Sequence, residues 1–161
     1  MDPALRTPAN RVSPRARLGW ALIAIAQALV PVVVLVLLVT VWNVFSMPLW
    51  GWVAIGVAAL AYVVVMPGIR YQVHRWETTE QAVFTQSGWI TRERRVAPLA
   101  RVQTVDFEQG IVSRLLGLTT VTVTTASAAG PVRIEGLDRI VAGRLVADLS
   151  ASAAAETGDA T

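Results

Sequence analysis

Few side chains in this 161-residue chain are suited to covalent or acid–base chemistry, so their types and spacing limit what the chain can do. His74 is the only histidine, next to Arg75 and shortly after an apolar run. A general base needs a second polar group to orient it, and a lone histidine in this position reads as an interfacial side chain. Asp106 and Glu108 are two residues apart and would share one face of a strand, where paired carboxylates can exchange protons or hold a hard cation. Their alternation with Val105 and Phe107 reads more simply as a solvated face. Cysteine is absent, which removes disulfides, thiolate nucleophiles and cysteine-ligated metal sites. All 14 basic residues are arginine, so neither a Schiff-base lysine nor a P-loop lysine exists; coding bias explains this better than a demand for guanidinium chemistry. Gly110, Gly117 and Gly130 are scattered turn glycines and form no phosphate cradle. The expectation is a protein that is not an enzyme, with no cofactor and no metal.

The most informative polar group is a cluster of arginines, Arg92, Arg94, Arg95 and Arg101, with Glu93 the one acidic residue inside it. Near a bilayer such residues can meet anionic lipid headgroups, each contributing about 1 kcal/mol. The competing reading is a solvated strand with surface ion pairs. No nucleic-acid motif or aromatic platform accompanies the cluster, so nucleic acid is not an expected partner. What these arginines meet depends on the elements that carry them.

Those elements begin with the membrane. Hydrophobic residues make up 54% of the chain and charged ones 16%, and no charge of either sign falls between Arg17 and Arg70. Within that gap, residues 18–41 and 49–66 are each long and apolar enough to cross a hydrocarbon core of about 30 Å as a helix. Pro67 and Gly68 are expected to stop the second span. The connector between the spans is too short to hold a domain, so the two helices pair as an antiparallel hairpin over residues 18–69. Trp20, Trp42, Trp50 and Trp52 cluster at the run ends, where indoles seat among headgroups, and Arg17, Arg70 and Arg75 complete the set of interfacial anchors. Arginines flank both outer ends of the hairpin and the connector has none, which places both termini in the cytoplasm of a multi-pass plasma-membrane protein. Residues 1–17 are then a basic cytoplasmic segment. A cleaved signal peptide is disfavoured because the apolar run continues past the small residues Ala26 and Ala28.

After Arg70 the pattern alternates, which defines one cytoplasmic β-rich domain over residues 70–150. Strands are expected over 71–76, 82–86, 89–96 and 101–108, the last with a bulge near Thr104. Two further strands surround the Val121/Val123 and Val132/Ile134 alternations. Residues 113–118 suit one short helical turn whose leucines plug the sheet. A helix capped by Asp138 and ending near Ser150 would cover the sheet with Leu137, Val141, Leu145 and Leu149. Residues 1–13 and the tail 151–161 are expected to be disordered.

The ordered succession of Gly88-Trp89-Ile90, an arginine-rich strand, Ala97-Pro98-Leu99, Arg101-Val102-Gln103-Thr104-Val105, Arg114-Leu115-Leu116-Gly117-Leu118 and the Val-Thr alternation resembles the bacterial pleckstrin-homology domains of the membrane-flanked type. The resemblance covers about half the chain, and a preceding hairpin is the usual company of that family. It implies an α+β membrane protein: a two-helix transmembrane hairpin, then a PH-like bent antiparallel β-sheet or partial barrel of six or seven strands with a C-terminal helix. It also implies binding or scaffolding without catalytic residues, beside membrane lipids and another membrane protein, one carrying several PH-like domains. Inositol-lipid recognition is not expected, because Glu77, Glu80 and Gln81 occupy the first hairpin. The rival reading is a small transporter or channel subunit, a homo-oligomer formed through the hairpin, although the spans lack the ionisable residue such a route normally carries.

Overall fold

The computed structural model describes residues 6–126 and 130–158. A two-residue strand, β1 (Asn10–Arg11), leads into helix α1 (Ala16–Thr40), whose first amide donates to the Ser13 carbonyl at 2.9 Å. Pro31 lies inside α1 without ending it. Beyond Thr40 the chain reverses at Asn43, which takes a φ of +47°, a conformation asparagine tolerates better than most residues. Helix α2 (Leu49–Val73) returns antiparallel, bringing Tyr62 to Gln27 and Arg70 to Trp20. Each helix has 25 residues and is long and apolar enough to cross a membrane. Leu29, Val30, Leu60 and Val64 are all exposed. Helices with outward apolar faces belong in lipid, since a buried core helix would have covered them.

Pro67 and Gly68 do not stop the second helix, contrary to expectation, and residues 71–73 are helical rather than the start of a strand. Proline removes one backbone donor, but the following turn is held from outside: Met66, Pro67 and Val73 are buried, Arg70 pairs with Glu135, and the Val73 carbonyl accepts from the Gln86 side chain. His74 then closes the helix: its amide and its Nδ1 approach the Arg70 carbonyl at 2.9 and 2.8 Å, which satisfies a C-terminal acceptor.

The domain continues as β2 (Arg75–Thr78), β3 (Ala82–Gly88), β4 (Arg92–Pro98), a 3-10 turn at Leu99–Arg101, β5 (Val102–Glu108), α3 (Ile111–Leu115), β6 (Leu118–Thr125), β7 (Val132–Asp138) and α4 (Arg139–Gly158). Its strands form two antiparallel sheets, β1-β2-β3-β4 and β5-β6-β7. The register shift between Val102 and Thr104 is the bulge expected there. Between the sheets lie Val83, Ala97, Val121, Val123, Val132 and Ile134, and α4 closes the end of this layer with Ala142, Leu145 and Leu149. Ala142 takes the place expected of Val141, which is exposed. Because α4 starts only at Arg139, its inward stripe is Ala142, Leu145, Leu149, an i, i+3, i+7 spacing, while Leu137 is still on the strand.

Both chain ends depart from expectation. Residues 10–13 are not disordered: β1 pairs with β2, and Val12 and Ser13 are buried. Glu77 holds the approach to this strand, accepting from the Ala9 amide at 3.0 Å and pairing with Arg6. At the other end α4 runs on to Gly158 instead of stopping near Ser150, in keeping with the high helix propensity of its alanines; residues 159–161 lie outside the described chain. Only part of the leucine plug forms. Leu116 and Leu118 pack inward, whereas Leu115 is 82% and Ile111 83% exposed.

Candidate functional site

Two regions carry the polar chemistry of the domain: the junction where the helices meet the sheets, and the β3–β4 hairpin. The junction starts from a phase slip in β7. Ile134 and Leu137 are both buried although three residues apart, and the register against β6 shifts between Thr119 and Val121. Gly136 absorbs the slip at a φ of +75°. A bulge of this kind re-aims the neighbouring side chain, and Glu135 turns to the last turn of α2, accepting from Arg70 Nη2 at 2.7 Å. The Gly136 carbonyl accepts from the Ser13 amide at 2.9 Å, and a Cβ at Gly136 would stand 2.7 Å from Ala16 Cβ. Backbone from the sheet therefore touches the first turn of α1.

Trp20 completes this contact and corrects an expectation. It is not a headgroup anchor: it is 5% exposed and packs with Val12, Ala16 and Leu118. The Arg70 guanidinium lies 4.8 Å from its ring centroid, and the His74 ring is 4.7 Å away on a tilted plane. Arg17 stacks over Tyr71 at 5.5 Å, and Arg75 reaches the Pro8 carbonyl at 3.5 Å. Of the expected anchors Trp42 and Trp50 are exposed at the far end of the helix pair, with Trp52 half-buried.

His74 is not interfacial either, since it is 4% exposed. Burial, and then the Arg70 charge, hold its pKa below the ordinary 6.5, partly offset by the hydrogen bond to the Arg70 backbone and by Glu135. Nδ1 faces a carbonyl, so the neutral ring donates its proton there. At pH above 6.5 the ring is neutral in the folded and unfolded chain alike, and the full stability is present. As pH falls through 6.5 the unfolded chain takes up a proton that the fold resists, so stability declines until the depressed folded value is reached. Thermal unfolding in detergent should show a lower midpoint at pH 5.5 than at pH 7.5, and a His74→Asn variant should flatten that difference. An unchanged slope in the variant would remove His74 as the cause.

The expected arginine cluster does not stay together. Strand alternation puts Arg92 and Arg94 on one face of β4, opposite Gly88 and Gln86, and Arg95 on the other, opposite Thr85. Arg94 Nε donates to Gln86 Oε1 at 2.9 Å, and the Gln86 amide donates to the Val73 carbonyl at 3.0 Å. Arg95 contacts Glu93 at 2.7 Å and the Pro131 carbonyl at 3.0 Å. Arg101 follows the far end of β4, about 20 Å from Arg92 at a rise of about 3.3 Å per residue. That exceeds a Debye length of about 8 Å at physiological salt, which sets Arg101 apart from Arg92 at the other end of the strand.

On the inner face a polar cleft of about 380 Å³ is lined by His74, Thr85, Glu93, Arg95, Arg133 and Glu135, among others. Its charges alternate in sign, which suits internal pairing more than capture of an anion. Asp106 and Glu108 lie on the exposed strand β5: Asp106 accepts from Thr104 at 3.1 Å, and Glu108 pairs with Arg133. Among the described residues no group of three His, Asp or Glu side chains gathers to hold a metal.

Three features lie outside the sequence-based site: the Glu135–Gly136 bulge, the turn at Trp89–Thr91, and the exposed pair Ile111 and Leu115. The bulge had a readable signal, a glycine interrupting alternation between two apolar positions. The exposed pair had none, since apolar residues in a short turn normally face a core.

Taken together, the fold and the junction define an α+β membrane protein in which a helix pair carries a PH-like domain of two antiparallel sheets and a C-terminal helix. The chain matches the bacterial PH domain over residues 16–153 and belongs to that family. The match begins at the first residue of α1, so the helix pair lies within it. The chain is also similar to the UPF0699 transmembrane protein YdbS of Bacillus subtilis (strain 168), with 28% identity over 140 residues that cover 83% of this chain and 88% of that protein. No solved structure matches.

Proposed function

We propose that this protein is a membrane-anchored, non-enzymatic interaction module whose PH-like domain docks a second membrane protein at the inner leaflet of the plasma membrane, with both termini in the cytoplasm. The observation that carries this reading is an apolar face on the domain itself. Phe107, Ile111, Leu115 and Ile140 are exposed, and Phe107 also lines a cleft of about 410 Å³ together with Gln109, Arg114, Thr119, Arg139 and Gly143. Large apolar side chains left exposed beside polar ones suit a protein contact site. Arg114 and Arg139 supply a basic rim, which favours a partner surface bearing carboxylates.

The position of this face favours a partner that is itself in the membrane. A Cβ at Gly19 would lie 3.4 Å from Leu116 Cδ1 and 3.9 Å from Val112 Cγ1, so α3 sits beside the point where α1 enters the apolar layer. Arg92 and Arg94 share one face of β4, and in this reading that pair is the part of the arginine strand that meets headgroups. A pore formed by several hairpins is less favoured. The polar pair inside the helices, Tyr62 and Gln27, is bonded within one chain at 2.8 Å and does not need a second copy.

A photo-crosslinking residue at position 140, which is exposed, activated in cells before mild extraction, should give one discrete adduct with another membrane protein. The double substitution Ile111→Asp, Leu115→Asp should reduce that adduct about tenfold, the loss expected when apolar anchors are replaced by charge. Both sites are exposed, so folding should be unaffected. Recovery of the chain alone, with no adduct, would count against docking, and a C-terminal reporter active only outside the cell would overturn the orientation.

A further inference from the structure

The turn between β3 and β4 is built as a tight apolar tip. Gly88 takes a φ of +113°, and a Cβ there would sit 1.9 Å from the Thr91 carbonyl oxygen, so only glycine closes this turn. Trp89 and Ile90 are thereby presented side by side, Ile90 at 78% exposure, with Arg92 and Arg94 following on one strand face. Water would not be expected to select such a pair at the most projecting point of a hairpin.

Two contacts fix where the tip points. At its base, the Gln86 side chain donates to the Val73 carbonyl at the end of α2. At its tip, the Trp89 ring meets Tyr62 edge-on with centroids 5.8 Å apart. Tyr62 precedes Val73 by eleven residues and Arg70 by eight, which is about 16 and 12 Å along a helix rising about 1.5 Å per residue. The hairpin therefore runs along α2, back toward the apolar layer.

Tyr62 cannot lie in water if α2 crosses the bilayer. Withdrawing it would leave residues 49–61, about 20 Å of helix, to span a hydrocarbon core of about 30 Å. Its hydroxyl donates to Gln27, which lies ten residues past Arg17 on the other helix and so at matching depth. The Trp89 ring that touches Tyr62 lies in the same layer.

We propose that the β3–β4 hairpin is a third membrane element, a wedge whose Trp89 and Ile90 side chains seat at the boundary between headgroups and acyl chains beside α2. The ligand of this surface is the bilayer itself. An indole suits that boundary, with an apolar body and one polar N–H, and Arg92 and Arg94 lie just behind it at the level of lipid phosphates. The backbone of the turn stays shallower than Tyr62, because the Trp89 side chain spans the remaining distance; its polar groups remain within reach of interfacial water. The wedge rests on the membrane crossing of α2 and is independent of any docked partner.

The absence of cysteine allows a direct test. Full-length Ile90→Cys and Arg101→Cys variants, each carrying a single nitroxide, are reconstituted in vesicles of phosphatidylcholine and phosphatidylglycerol. Position 90 should be relaxed several-fold more by oxygen than by a water-soluble nickel complex, and position 101 should show the reverse preference. Nickel dominance at both positions would overturn the wedge. Low accessibility of position 90 to both reagents would also overturn it, since that is the mark of a protein contact. Both native residues are exposed, so the labels should not disturb packing.

Discussion

A Gly136→Val substitution is expected to unseat the β-domain from the first membrane helix. Two costs combine at that position. A β-branched residue held at a φ of +75° carries about 1–2 kcal/mol of backbone strain. Its Cβ would stand 2.7 Å from Ala16 Cβ, and relieving that overlap costs about another 1–3 kcal/mol. The sum is a large part of the roughly 5–15 kcal/mol that holds a domain together. Detergent-solubilised protein should unfold at a clearly lower urea concentration, and trypsin should cut after Arg11 and Arg15 much faster, because the Ser13–Gly136 hydrogen bond that pins this segment is lost. An unchanged urea midpoint together with unchanged cleavage would show that the bulge does not secure the junction.

Trp20→Ala is the second large effect, and it separates two roles that look alike in the sequence. Trp20 is buried against Ala16, Val12 and Leu118, beneath Arg70 and beside His74. Removing a packed indole costs about 3–5 kcal/mol. Trp42, at 65% exposure, should lose at most about 0.5 kcal/mol when replaced by alanine. Thermal melts of the two variants in the same detergent decide the matter: equal losses would mean that Trp20 is not structural in this way.

The helix pair was legible because its signal is global. A stretch of the chain from Arg17 to Arg70 without a charge has few explanations other than lipid. The ends of the helices were less legible, because terminators act locally while packing acts from outside. Pro67 and Gly68 would stop an isolated helix, yet α2 continues to Val73 on contacts supplied by the sheet. Alternation located β3 and β5 well, including the bulge near Thr104, but the strands expected over 71–76 and 89–96 begin only at Arg75 and Arg92, because residues 71–73 finish α2 and residues 89–91 form the turn.

The site was harder to read, since neighbours in sequence need not be neighbours in space. Arg94 and Arg95 are adjacent in the chain and on opposite faces of β4. Trp20 stands near arginines, as a headgroup anchor would, and only the path of residues 10–13 back over the domain reveals that it is covered. His74 likewise follows an apolar run, but its surroundings come from α1 and β7, far away in sequence.

Strand β1 precedes both helices and β2 follows them, yet the two pair through Asn10–Trp76 and Arg11–Arg75. That pairing works as a clasp that can be fastened only after insertion is complete. A chain in which the second helix stalled would leave the two halves of the clasp on opposite sides of the bilayer, with Val12 uncovered and the edge of the sheet open.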